Sequence, residues 1–126
     1  MSFSLLNKTR GATPAIPFGK IKDQVLGKDY DLSLALLQPA QARRVTRETK
    51  HKDKASNVLS FPLSKNSGEI FLCPATARAQ AHEYGYKNGE LFLAHLFIHG
   101  LLHLKGYAHS DMMDNEEDKV AQRFGY

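Results

Sequence analysis

The chain has 126 residues, enough for one domain with its own core and too few for two full-sized ones. Its 42% hydrophobic and 24% charged content excludes disorder as the general state. A single cysteine, Cys73, excludes an internal disulfide and fits a reducing compartment, and the net charge of +4 permits a nucleic-acid partner without requiring one.

Phe3–Lys8 is a short strand candidate, followed by a polar loop carrying Pro14 and Pro17. Pro17 suits the first turn of a helix over about 17–27, which Gly27 ends. Tyr30–Leu37 alternates apolar and polar residues, the pattern of a strand with one buried face. Pro39 opens a helix over about 39–50 whose exposed side is basic. Asn57–Pro62 is a strand that Pro62 closes, Ser67-Gly68 is a turn, and Glu69–Cys73 is the returning strand. Helices follow over about 74–85, 88–105 and 110–124. The expected fold is α+β: a single domain, residues 1–126, with a small mixed sheet of about four strands and a central buried helix. The N-terminus lacks the basic and apolar regions of a signal peptide, and Leu91–Leu104 is shorter than the ~20 residues a membrane span needs. The expectation is a cytoplasmic protein with no membrane association.

Charge is unevenly spread. Arg43, Arg44, Arg47, Lys50, Lys52 and Lys54 fall within twelve residues, opposed only by Glu48 and Asp53. Asp111, Asp114, Glu116, Glu117 and Asp118 form an acidic run, read as a solvated helix face.

The helix over 88–105 is apolar on nearly every side, which points to a buried position. His99 and His103 are four residues apart, so their imidazoles share one face, the spacing by which a helix presents two nitrogens to one metal. His95 lies on the same stripe but roughly 12 Å from His103 along the axis at ~1.5 Å per residue, too far for one ion with bonds of ~2.0–2.1 Å. A packing or supporting role suits it better. Gly106, a helix-ending residue, lets the chain turn back and bring His109 against the pair. Three of the six histidines thus fall in one HxxxHxxGxxH arrangement. Three imidazoles leave one coordination position open for water or substrate, which favours a hydrolytic centre. Cys73 sits in an apolar strand and is read as a core thiol rather than a fourth ligand. His51 and His82 have no comparable context.

The segment His99-Gly-Leu-Leu-His-Leu-Lys-Gly-Tyr-Ala-His109 resembles the HGxLHLxGYDH signature of the YbeY family of bacterial rRNA-maturation factors. Lys52-Asp-Lys-Ala-Ser-Asn-Val-Leu-Ser-Phe-Pro62 is similar to that family's KDKPTNVLSFP segment, and Gly68-Glu-Ile-Phe-Leu-Cys-Pro74 to its GDIxIxP strand. The resemblance runs in register from about residue 30 to the C-terminus. It implies an α+β fold, a zinc-like ion on His99, His103 and His109, and single-strand-directed endoribonuclease activity. It also implies 16S rRNA 3′-end maturation and ribosome quality control, with the small ribosomal subunit and assembly factors as partners. The sequence departs from the family at two places: Ala108 stands where the family has aspartate, and Lys50 where it has arginine.

Zinc peptidases of the HExxH kind carry a glutamate after the first histidine, and here that position is Gly100, which counts against a peptidase. Gly100 is read as serving close packing or access. With no carboxylate at Gly100 or Ala108, the metal itself is expected to activate water, while Lys50 acts catalytically on the charge at phosphate. Lys52 and Lys54 are expected to bind the RNA backbone. Three histidines suit one Zn²⁺, and also nickel or copper. The alternative is a metal-stabilised ribosome-assembly factor with little or no catalysis, to which Ala108 and Lys50 lend weight.

Overall fold

The computed structural model describes residues 2–126. Its elements run β1 (Phe3–Asn7), α1 (Phe18–Leu26), β2 (Asp31–Leu36), α2 (Pro39–Lys50), β3 (Val58–Ser64), β4 (Ser67–Leu72), α3 (Pro74–Gln80), α4 (Gly89–Lys105) and α5 (Asp111–Arg123). The four strands form one mixed sheet in the order β1-β2-β4-β3, with β1–β2 and β2–β4 parallel and β3–β4 antiparallel. This is the α+β domain expected.

Alternation along the strands creates two faces. Leu32, Leu34 and Leu36 of β2 and Ile70 and Leu72 of β4 point into the main core, with Leu34 paired to Ile70. On that face lies α4, buried from Phe92 to Ile98 and again from Gly100 to Leu102, with α1, α3 and α5 around it. Phe97 is fully buried and meets Phe18 of α1 edge to face at 5.0 Å. The opposite face carries a smaller core in which Ala42 and Val45 of α2 meet Ala35, Phe71 and Cys73. Among the described residues no helix is long and apolar enough to cross a membrane.

Three local expectations are corrected. Ser67-Gly68 is not the hairpin turn; both residues belong to β4, and the chain reverses at Lys65-Asn66 instead. Gly68 is needed for close approach: a β-carbon there would stand 2.5 Å from the Tyr30 hydroxyl and 3.0 Å from Leu104. Pro62 does not close its strand, because β3 is the outer strand of the sheet, where a missing N–H can face away from the ladder. The helix expected over 74–85 ends at Gln80 and passes into turns that reach Gly85, whose φ of 84° no helix accommodates.

Candidate metal centre

The ends of α4 and α5 are both capped, and the caps set the site. Asn88 accepts the Leu91 amide at 2.9 Å and starts α4; Gly106 ends it at φ 109°, its amide donating to the His103 carbonyl at 3.0 Å. Ser110 then accepts the Met113 amide at 3.2 Å and starts α5. The short reversal between these caps carries His109 back over the end of α4.

The reversal brings His99, His103 and His109 together, with a donor nitrogen of each within 4.8 Å of the others. Ring centroids are 4.6 Å apart for His99–His103, 5.0 Å for His99–His109 and 4.6 Å for His103–His109. His95 stays outside the group. Cys73 is also elsewhere, 1% exposed on the far face of the sheet with its sulfur 3.1 Å from the Thr76 hydroxyl.

Hydrogen bonding fixes which nitrogen of His99 and of His103 is free. His103 Nδ1 stands 3.1 Å from the Tyr107 carbonyl, which can only accept, so Nδ1 carries the proton. His99 Nδ1 stands 3.1 Å from Glu117 Oε1. Burial would raise the Glu117 pKa, but hydrogen bonds from His95 and His99 outweigh it and hold the carboxyl below its ordinary value. An ionised Glu117 therefore accepts a hydrogen bond from His99 Nδ1–H, and the proton stays on the ring. The two Nε2 atoms face each other at 3.0 Å. In the neutral rings both carry lone pairs there, an unfavourable contact that a shared cation relieves. Two ~2.0–2.1 Å bonds at a tetrahedral angle separate their nitrogens by about 3.4 Å, close to the spacing present. The donor set fits a zinc-class ion. Burial, the charge of His99 and lesser effects of His109 and Lys50 lower the His103 pKa despite the Tyr107 carbonyl, which favours its neutral, ligating form.

Glu117 corrects the sequence reading most. The acidic run of which it is part reads in sequence as a solvated face, yet its side chain is only 13% exposed and bridges two histidines. Its Oε2 accepts from His95 Nδ1 at 2.9 Å, while His95 Nε2 faces the Tyr126 carbonyl at 3.4 Å. Burial alone would lower the His95 pKa; the hydrogen bond and charge of Glu117, with Tyr126 and Asp118, turn the shift upward. The missed signal was helical spacing. Met113, Glu117, Val120, Ala121 and Phe124 form one stripe of α5, and Met113, Val120 and Ala121 are buried.

Lys50, at the end of α2, lines a cavity of about 370 Å³ together with Ser60, His103 and His109, its ammonium 5.5 Å over the Phe61 ring. Lys52 and Lys54 are exposed on the following loop and line no wall of that cavity. Asp53 between them bonds Arg47 at 3.0 Å, and this guanidinium, helped by Arg43, holds its carboxyl below the ordinary value. Ala108 is exposed and lines neither cavity flanking the histidines, while Gly100 is pressed against the sheet beside Ile70 and Val58. Close packing is thus its role.

A family model described as Endoribonuclease YbeY matches residues 16–124. The chain belongs to the YbeY family. Relatives named Endoribonuclease YbeY include one from Neisseria meningitidis serogroup B, 37% identical over 112 residues, covering 76% of this chain and 66% of the relative. Another, from Aromatoleum aromaticum, is 32% identical over 128 residues, covering 95% and 82%. The matched stretch thus spans just under two thirds of the Neisseria relative's length. The solution structure of TM1509 from Thermotoga maritima is similar in fold, with a TM-score of 0.69 at 24% identity over 95% of this chain and 87% of that one.

Proposed function

We propose that this YbeY-family chain is a metal-dependent endoribonuclease that cuts single-stranded RNA, with His99, His103 and His109 as ligands of one Zn²⁺ or a similar ion. The observation that carries this reading is the pair of Nε2 atoms 3.0 Å apart, each ring held by a partner on its other nitrogen. Membership of a family whose model is described as an endoribonuclease supports RNA as the substrate.

A bound ion of this class would supply Lewis acidity at a phosphoryl oxygen and a lowered pKa for water. The residues of the chain do the rest. Glu117 holds His99 in the tautomer that frees Nε2, and the Tyr107 carbonyl does the same for His103. Lys50 faces the same cavity as His103 and His109 and offsets charge developing on the phosphate. As an ammonium it acts as a point charge without the bidentate grip of arginine. Lys52 and Lys54 attract the flanking backbone from the loop. The physiological reading is 16S rRNA 3′-end maturation and ribosome quality control in the cytoplasm, in contact with the small subunit and assembly factors.

Protein freed of contaminating ribonucleases should cut single-stranded RNA, and His99→Ala or His103→Ala should abolish cutting. Mutants that cut like wild type would overturn the reading; elemental analysis identifies the ion. The second reading, a binding factor with little catalysis, is favoured by the absence of a carboxylate at Ala108. Ala108→Asp separates the two: greater cleavage at unchanged metal content marks an enzyme weakened at this position.

A further inference from the structure

The chemistry proposed above leaves an aromatic cleft beside His99 unused. Tyr84 and Tyr86 each stack on Phe92, with centroids at 5.2 and 4.7 Å and planes within 25° and 23°. Phe92 is buried, whereas Tyr84 is 57% exposed. A ring laid flat on a buried partner and still more than half exposed offers its other face to solvent. Tyr86 also packs on His95 at 5.0 Å, which ties the stack to the Glu117 network. These rings line a cleft of about 320 Å³, with Asn57, His99, Asp114 and Glu117 among its polar groups.

This cleft and the Lys50 cavity lie on either side of the histidines. His99 opens onto the first, His103 and His109 onto the second, and Val58 of the outer strand β3 lines both. Their electrostatics are opposite. Lys50 draws a phosphate, while Asp114 and Glu117 repel one. Carboxylates accept hydrogen bonds from the amino edge of a nucleobase, and a flat uncharged ring stacks on tyrosine. The cleft therefore suits the base of a strand whose phosphate sits on the basic side.

We infer that the Tyr84–Tyr86–Phe92 cleft is a subsite for one unpaired nucleobase, stacked on Tyr84 with its amino edge toward Asp114, next to the phosphate held on the Lys50 side. The inference rests on the part of that reading in which single-stranded RNA binds at the histidine site. It gives single-strand preference a cause in binding, since a base inside a duplex has both faces covered and its amino edge paired.

The test is equilibrium binding of single-stranded RNA nonamers carrying 2-aminopurine at successive positions to the metal-loaded protein, with cleavage of the unlabelled strand scored in parallel. Stacking on Tyr84 should quench the fluorophore at one position. Tyr84→Ala should remove the quench and weaken binding roughly 5- to 150-fold, the range one base–aromatic stack is worth. Tyr84→Phe should retain both, with metal content unchanged in either variant. A position-specific quench in protein that does not cleave upholds the subsite while overturning the nuclease reading. Cleavage by wild type, with no position quenched and Tyr84→Ala binding as tightly, overturns the subsite and leaves the nuclease reading standing.

Discussion

Glu117 Oε1 accepts a hydrogen bond from His99 Nδ1–H across 3.1 Å from the buried stripe of α5, so that helix sets the direction in which His99 presents Nε2. The other oxygen is engaged by His95 at 2.9 Å, which keeps the carboxylate from rotating away. Carboxylates behind ligating histidines commonly contribute 10–100-fold to metal affinity. Glu117→Gln keeps the shape but has one acceptor oxygen for two imidazoles. It should weaken zinc binding by roughly 10- to 100-fold in competition with a chromophoric chelator. Unchanged affinity would mean that Glu117 serves packing alone.

Removing the metal should destabilise the fold, because a ligand that binds only the native state adds RT ln(1 + [L]/Kd). At a free ion concentration 100 times Kd that is about 2.7 kcal/mol, a shift on the order of 10 °C in melting temperature for a domain of this size. Calorimetry with and without a chelator should show that drop, reversed by adding zinc. His109→Ala should melt at nearly the same temperature in both conditions. A wild type indifferent to chelation would mean that the three histidines hold no cation.

The parts legible in sequence were those set by backbone spacing. An apolar helix with histidines four apart, followed by a glycine stop, constrains where the next histidine can go, and the structure brings those three imidazoles together. Glu117 was hidden by its neighbours. Charges at Asp111, Asp114, Glu116 and Asp118 make the segment look uniformly solvated, although the stripe from Met113 to Phe124 includes it. The hairpin turn lies at Lys65-Asn66 rather than Ser67-Gly68 for a related reason. Ser-Gly favours turns locally, but the close contact of Gly68 with Tyr30 and Leu104 is tertiary and leaves no mark in a window of a few residues. The aromatic cleft was equally invisible, since Tyr84 and Phe92 meet only through the turns after α3.

The basic segment should bind RNA more tightly once Asp53 is neutralised. Asp53 accepts from Arg47 at 3.0 Å and stands 3.8 Å from Arg43, in the stretch that also holds Lys52 and Lys54. Asp53→Asn should strengthen single-strand binding and steepen the dependence of log K on log salt by ~0.7 per added phosphate contact. Acid should act in the same direction. The folded Asp53 pKa is depressed, so the pair's contribution is fully present above the unfolded value and is lost as pH falls through the folded one. Carboxyl NMR of Asp53 should therefore titrate below the ordinary aspartate value, and Arg47→Ala should move the midpoint back up. An ordinary midpoint in wild type would show that the pair does not form in solution.

Installing the missing glutamate of a peptidase at Gly100 should break the fold rather than create a new activity. A β-carbon at this position would already lie 3.2 Å from Ile70 Cδ1 and 3.4 Å from Val58 Cγ2, between α4 and the sheet. Gly100→Ala asks only a methyl end of Ile70 to move, and the gain in helix propensity of ~1 kcal/mol offsets it, so stability should change by less than about 1 kcal/mol. Gly100→Glu places a carboxylate in the same space, against the apolar side chains of Ile70 and Val58. Breaking close packing and burying an unpaired charge together should cost at least ~3 kcal/mol. Denaturant melts of the two variants check this directly: Ala near wild type, Glu largely unfolded or strongly destabilised. A stable Gly100→Glu protein that cuts peptides would show that α4 can rotate this position out of the core and onto the metal.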